Sequence, residues 1–176
     1  GITSEGQAVN GIGTVDCITP VFKGPRLNRS MMDSSYASIP YLFEDMYVTY
    51  AFNMTGGSLL KWFRDTFAKK DKEIAEKNNL QIYSILDKEI PKDPTNIFVL
   101  PHFTGSPTPR PDIHAYGAIV NLTLSTSRGE IYRACMEGEA FEMKHNIQTL
   151  EANDIPIKEL RTVGGGSRSP QWLQIR

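Results

Sequence analysis

Lys158-Glu-Leu-Arg-Thr-Val-Gly-Gly-Gly-Ser-Arg-Ser-Pro-Gln-Trp-Leu-Gln-Ile-Arg176 is the stretch whose reading decides the fold. Leu160 to Val163 has the make-up of a short strand. Gly164, Gly165 and Gly166 follow, and a helix is predicted to begin between Ser167 and Pro170. Glycine lets a backbone approach a ligand closely and adopt unusual dihedrals. The first turn of a helix offers unpaired N–H groups and the positive end of a dipole. Pro170 suits that turn, where a missing N–H costs nothing. Strand, bare turn and helix in this order suit an anion, most often a phosphate. A glycine-rich turn without a ligand is the competing reading, and this stretch alone leaves both open.

Around it lies a chain of 176 residues, long enough for one domain with its own core. Hydrophobic residues make up 40% and charged residues 22%, a globular rather than disordered balance. The formal net charge is -1 and there is no basic run, so nucleic acid has no electrostatic foothold. No apolar stretch reaches the roughly 18 residues that a membrane span needs. Cys17 and Cys135 lack metal-ligand spacing and sit in apolar settings, so both are expected to be buried, reduced thiols of a cytoplasmic protein. The sequons at Asn28, Asn53 and Asn121 are read as chance. Trp172, Leu173 and Ile175 begin an apolar face that is not completed, so the chain is expected to be a fragment of a longer protein.

Two further glycine junctions precede the first. Residues 7–22 read as two strands around a turn punctuated by Gly11, Gly13, Thr14 and Asp16. The turn could present N–H groups and the Thr14 hydroxyl to an anion, and an ordinary hairpin is the alternative. Residues 23–35 read as a loop and 41–54 as strands, with Glu44 and Asp45 in the turn between them. Gly56 and Gly57 then open a helix whose Leu59, Leu60, Phe63 and Phe67 recur at helical spacing, with Trp62 beside them, as a core face. Residues 69–79 form a solvated charged helix, and Ile82, Ile85 and Leu86 a short one. Ile97 to Leu100 and Gly117 to Leu124 read as strands. The loop from Pro101 to His114 is long enough to suggest a role, and its His102 and His114 read as surface residues rather than metal ligands. Ser125 or Ser127 caps the next helix, Glu130 completing a capping box with Ser127. Ile131, Ala134, Gly138, Phe141, Met143, Ile147 and Leu150 form its apolar stripe, small Ala134 and Gly138 permitting close packing.

Four blocks taken together resemble the C-terminal domain of the FGGY carbohydrate kinases. They are Gly11-Ile-Gly-Thr14; Gly56-Gly-Ser-Leu-Leu-Lys-Trp-Phe-Arg-Asp65; Leu100-Pro-His-Phe-Thr-Gly105 running through 117–125 to 130–141; and Gly164-Gly-Gly-Ser-Arg-Ser-Pro170. They stand in the family's order over nearly the whole chain. The resemblance implies an α/β, actin-like ATPase (ribonuclease H-like) domain, a mixed sheet flanked by helices, cut within its last or penultimate helices. Residues 1–176 would then be one domain, the C-terminal lobe, without the N-terminal lobe. The family transfers the γ-phosphate of ATP, with magnesium, to a sugar or polyol hydroxyl. By the same resemblance Gly13 and Thr14 meet the phosphates, Gly57 lies near phosphates and ribose, and Gly165, Gly166 and Ser167 lie against the nucleotide. The implied partners are the N-terminal lobe of the same polypeptide, a sugar or polyol and, in a homodimer, a second copy.

Departures bear on the subfamily. The family favours glycine where Asn121 stands and a small or aliphatic residue at Cys135. Its loop often carries an acidic–basic pair at Ser106 and Pro107, and some members have an amide side chain at Pro170. The family's catalytic aspartate precedes the first block, whereas Asp16 follows it. The N-terminal phosphate and magnesium motif is likewise not found. The chain is therefore expected to supply the nucleotide-binding half of a kinase cleft, with magnesium ligands from the other lobe, and to be inactive alone. The alternative is a non-catalytic actin-like nucleotide-binding or regulatory domain.

Overall fold

A computed structural model describes residues 1–176. Strands β1 (Gln7–Ile12) and β2 (Asp16–Lys23) form the predicted hairpin, with alternate side chains buried as a sheet with one covered face requires. A short helix, α1 (Arg29–Asp33), follows, capped by the Asn28 side chain on the Met31 N–H at 2.9 Å. The stretch read as a loop is thus partly helical, because Asn28 supplies the cap and buried Met31 the anchor. Strands β3 (Ile39–Pro40), β4 (Met46–Val48) and β5 (Ala51–Asn53) complete that side of the sheet, and Glu44 and Asp45 lie in the turn before β4.

Helix α2 (Gly57–Phe67) leads into the charged helix α3 (Lys69–Lys77), then short α4 (Ile82–Leu86) and a 3-10 turn at Asp87–Glu89. Strands β6 (Phe98–Leu100) and β7 (Ala118–Val120) pair as a separate antiparallel ribbon. The expected strand 117–124 stops at Val120 because Asn121 turns to φ +68° and donates its side-chain N–H to the Asn96 carbonyl at 2.6 Å. Asparagine and glycine are the residues that enter this left-handed region readily, which accounts for Asn121 where the FGGY pattern favours glycine.

Helix α5 (Arg128–Glu151) is the longest element, ~36 Å at 1.5 Å per residue. Ser127, not Ser125, caps it: the Glu130 N–H donates to the Ser127 hydroxyl at 3.2 Å, and the Ser127 N–H donates to the Glu130 carboxylate at 2.7 Å. Strand β8 (Glu159–Val163) returns to the sheet and pairs in parallel with β1, Gly11 opposite Val163. A 3-10 turn (Gly165–Arg168) and helix α6 (Pro170–Ile175) follow. The sheet order is β3-β4-β2-β1-β8, with β5 also on β2; β8 is the parallel member of a sheet otherwise paired antiparallel.

α5 joins two cores. Tyr132 and Met136 pack with Ile12, Phe63, Leu86 and Trp172. Met143 and Leu150 pack with Phe22, Met31 and Tyr36 against the sheet. Two aromatics assigned to the core stand further out: Phe67 is 42% and Phe141 59% exposed. Phe67 closes α2 and retains contact with the Phe63 and Trp62 rings, whereas Phe141 shares the exposed face of α5 with Lys144 and Gln148, away from buried Met143, Asn146 and Leu150.

Candidate functional site

Parallel neighbours run in the same direction, so β1 and β8 deliver their following turns to the same edge of the sheet. Past Ile12 comes the Gly13–Val15 tip of the hairpin; past Val163 comes the Gly164–Gly166 turn. The N-terminus of α2 meets them there. Gly13, Gly57, Gly165 and Gly166, drawn from three separated segments, line one cavity of about 740 Å³. That volume is within the usual range for a small-molecule or cofactor site. Its far wall comes from α4 and the turn after it (Gln81, Tyr83, Ser84, Asp87, Lys88), its floor from Tyr132 and Met136, and its near wall from Arg168 to Trp172.

The glycines differ in what they do. Gly56 sits at φ +46°, and a Cβ there would lie 2.7 Å from the Asp16 nitrogen. A Cβ on Gly57 would run into the Gly13 carbonyl. One on Gly166 would strike the Ile12 side chain and lie 2.7 Å from the Trp172 ring. Gly57 and Gly166 are therefore bare because protein packs on them. Around Gly165 nothing lies within 4 Å of such an atom, so that position opens onto the cavity.

The N–H groups divide likewise. The first amides of α2 are already used: Gly57 donates to the Gly13 carbonyl at 2.9 Å, and Ser58 to Thr14 at 3.0 Å and Thr55 at 2.8 Å. The amides at this helix terminus thus clamp the hairpin and are not free donors. Free donors stand on the hairpin tip, where the Thr14 and Val15 amides and the Thr14 hydroxyl have no protein partner and are exposed. Thr14 and Ser167 adjoin the cavity in sequence but do not line it. The Ser167 hydroxyl donates to the Gly164 carbonyl at 2.7 Å and so holds the glycine turn.

Sequence reasoning missed the far wall. Asp87 accepts hydrogen bonds from the Ser169 hydroxyl at 3.1 Å and the Tyr132 hydroxyl at 3.3 Å. Burial raises its carboxyl from the ordinary value, and those two hydrogen bonds oppose the rise. Lys88 and Arg168 bring positive charge to the lining. The Trp172 indole N–H is buried without an acceptor, a donor that a ligand could satisfy. No periodic pattern marks Asp87 and Lys88 in the sequence; only the fold brings α4 and the turn after it to the glycine turns.

Other expected features fall elsewhere. The 101–114 loop does not line the cavity. It is pinned by Thr108, whose hydroxyl accepts from the Phe52 N–H and donates to Asn146 Oδ1, each at 2.8 Å. His102 is not a surface residue: its side chain is 14% exposed, and Nε2 lies 3.4 Å from Glu142 Oε2. His114 is exposed as expected. Cys135 is fully buried and its thiol is pushed up to about 12 by burial, whereas Cys17, expected to be buried, is only partly so. Alternation along β2 turns Asp16 and Ile18 inward and Cys17 away from them. No group of three or more His, Cys, Asp or Glu side chains is assembled to hold a metal. No helix is long and apolar enough to cross a membrane.

The family model for the FGGY family of carbohydrate kinases, C-terminal domain, matches residues 16–176. A gluconokinase from Bacillus licheniformis is 27% identical over 97% of this chain. The chain spans 33% of that relative's length. Among solved structures, xylulose kinase from Rhodospirillum rubrum superposes with a TM-score of 0.79 at 25% identity, over 99% of this chain and 33% of its own. Plasmodium falciparum glycerol kinase, solved with ADP, shares the fold at a TM-score of 0.74 and 23% identity, over 97% of this chain and 33% of its own.

Proposed function

The chain belongs to the FGGY family of carbohydrate kinases, and from that premise we propose that it forms the nucleotide-binding half of an ATP-dependent sugar or polyol kinase. Its mixed sheet with flanking helices is that of an actin-like ATPase domain. One observation carries the reading: glycine turns remote in sequence meet at one cavity, Gly13, Gly57, Gly165 and Gly166 all on its lining. Phosphoryl transfer depends mainly on positioning and on charge stabilisation. The exposed Thr14 and Val15 amides and the Thr14 hydroxyl suit the phosphates, since donors fixed on a rigid turn need no reordering. The wider part, between Tyr83, Asp87 and Trp172, suits the nucleoside; Gly165 gives it room, and the Trp172 N–H and Asp87 carboxylate give it polar partners.

ATP supplies the transferred phosphoryl group. The acids nearest the hairpin cannot deprotonate a sugar hydroxyl, because Asp16 and Glu139 are both fully buried and Asp16 is ion-paired with Arg176. In this reading the base and the magnesium ligands belong to an N-terminal lobe of the same polypeptide, which also holds most of the sugar. The chain alone would bind nucleotide without transferring phosphate.

Isothermal titration with ATP and ADP tests the assignment. Gly165→Leu places a side chain in open cavity and meets no protein atom at its Cβ. It is expected to weaken ATP binding about tenfold or more, equivalent to ~1.4 kcal/mol, with the thermal midpoint unchanged. Equal affinity in wild type and variant would refute the placement of the nucleotide here.

A further inference from the structure

We propose that Asp16 and Arg176 form a positioning pair that sets the Gly13–Val15 tip for the phosphate end of a bound nucleotide, a role that rests on the site assignment above. Asp16 opens β2 directly after that tip and has no exposed surface. Its carboxylate accepts from the Asn10 amide at 2.6 Å on one oxygen and from the Arg176 guanidinium on the other. The same guanidinium donates to Asn10 Oδ1 at 2.9 Å, so one planar fork spans β1 and β2 just below the tip. The Arg176 side chain is 10% exposed.

The position of Arg176 gives the pair its meaning. It directly follows Ile175 of α6, the helix whose first turn, Ser169 to Trp172, is one wall of the cavity. The wall beside the nucleoside is therefore strapped to the turn beside the phosphates. The clamp from α2 holds only the carbonyls of Gly13 and Thr14. The Gly13 N–H closes the tip on the Val15 carbonyl at 2.9 Å, and the free Thr14 and Val15 amides run directly into Asp16, the next buried residue along. A buried ion pair returns little net stability, since desolvation offsets attraction, whereas its directional hydrogen bonds fix geometry. Two apolar residues would fill this space without fixing the fork across β1 and β2.

The test compares ATP and adenosine, which share a nucleoside and differ in the phosphates. Arg176→Met alone leaves Asp16 buried and uncompensated. The informative variant is the double substitution Asp16→Asn with Arg176→Met, which removes both charges. Titration calorimetry on the wild-type protein and this variant is expected to show ATP affinity lower by about tenfold and adenosine affinity within about twofold. Should the double variant lose its thermal transition, Arg176→Lys, which keeps the charge but not the fork, provides the same comparison with a smaller expected loss for ATP. Equal losses for ATP and adenosine, or none for either, would show that the pair only stabilises the fold and would overturn the proposal. Wild-type protein that binds neither ligand would sink the site assignment and this inference together. ATP binding retained by the variant sinks this inference alone.

Discussion

Gly57 is bare because the hairpin leans on it. Its Cβ would meet the carbonyl of Gly13, and backbone cannot retreat as a flexible side chain can. Gly57→Ala should cost about 1–3 kcal/mol by overpacking, read as a lowered midpoint in thermal or urea denaturation; an unchanged midpoint would mean that the hairpin lifts freely. Lost ATP affinity in Gly57 or Gly166 variants reports packing as much as ligand contact, and Gly165 is the cleaner probe. Glu139 provides a second residue-scale prediction. It is fully buried, accepts from the Asn53 amide at 2.8 Å on one oxygen and has no partner on the other. Burial raises its carboxyl to about 8, with the nearby Asp16 adding to the rise and hydrogen bonds opposing it. The folded state then holds a proton that the unfolded state releases near 4.5. Stability should fall by about 1 kcal/mol per pH unit between those values and level off above them. Glu139→Gln, neutral at every pH, should flatten the slope. Denaturation at pH 5.5, 7 and 8.5 distinguishes the two, and parallel slopes would remove Glu139 as the cause.

At the scale of elements, the most legible parts were those whose signals are local. The capping box at Ser127 and Glu130 was readable because both halves of it lie within one turn. Ser127→Ala should lower stability by about 1 kcal/mol, with chemical denaturation as the measure; no change would mean that Arg128 anchors the helix start unaided, through its ion pairs with Asp71 and Glu89. The β1–β2 hairpin and α2 were legible for the same reason. Strand ends were not. Asn121 stops β7 through a left-handed turn that an apolar run conceals, and α1 depends on Met31 finding the core under the sheet. The state of the α2 amides was also beyond local reading. Whether a helix terminus faces a ligand or another loop depends on what the chain brings to it, and here it brings Gly13 and Thr14.

At the scale of the molecule, the glycine blocks carried the fold and one side of the cavity. They could not carry the wall formed by Gln81 to Lys88, which is assembled by packing between α4, α5 and α6. The parallel pairing of β1 with β8 has a consequence for which changes of length the chain can absorb. Each strand acts as a ruler that ends at a glycine turn, and Gly11 opposite Val163 is the common mark. One residue added within Glu159–Val163 would turn that strand's side chains over and move one turn out of step with the other. The Ala152–Lys158 connection has no slack to absorb the shift, because Ile155 is fully buried in the core under the sheet and the Lys158 N–H donates to the Gly6 carbonyl at 2.8 Å.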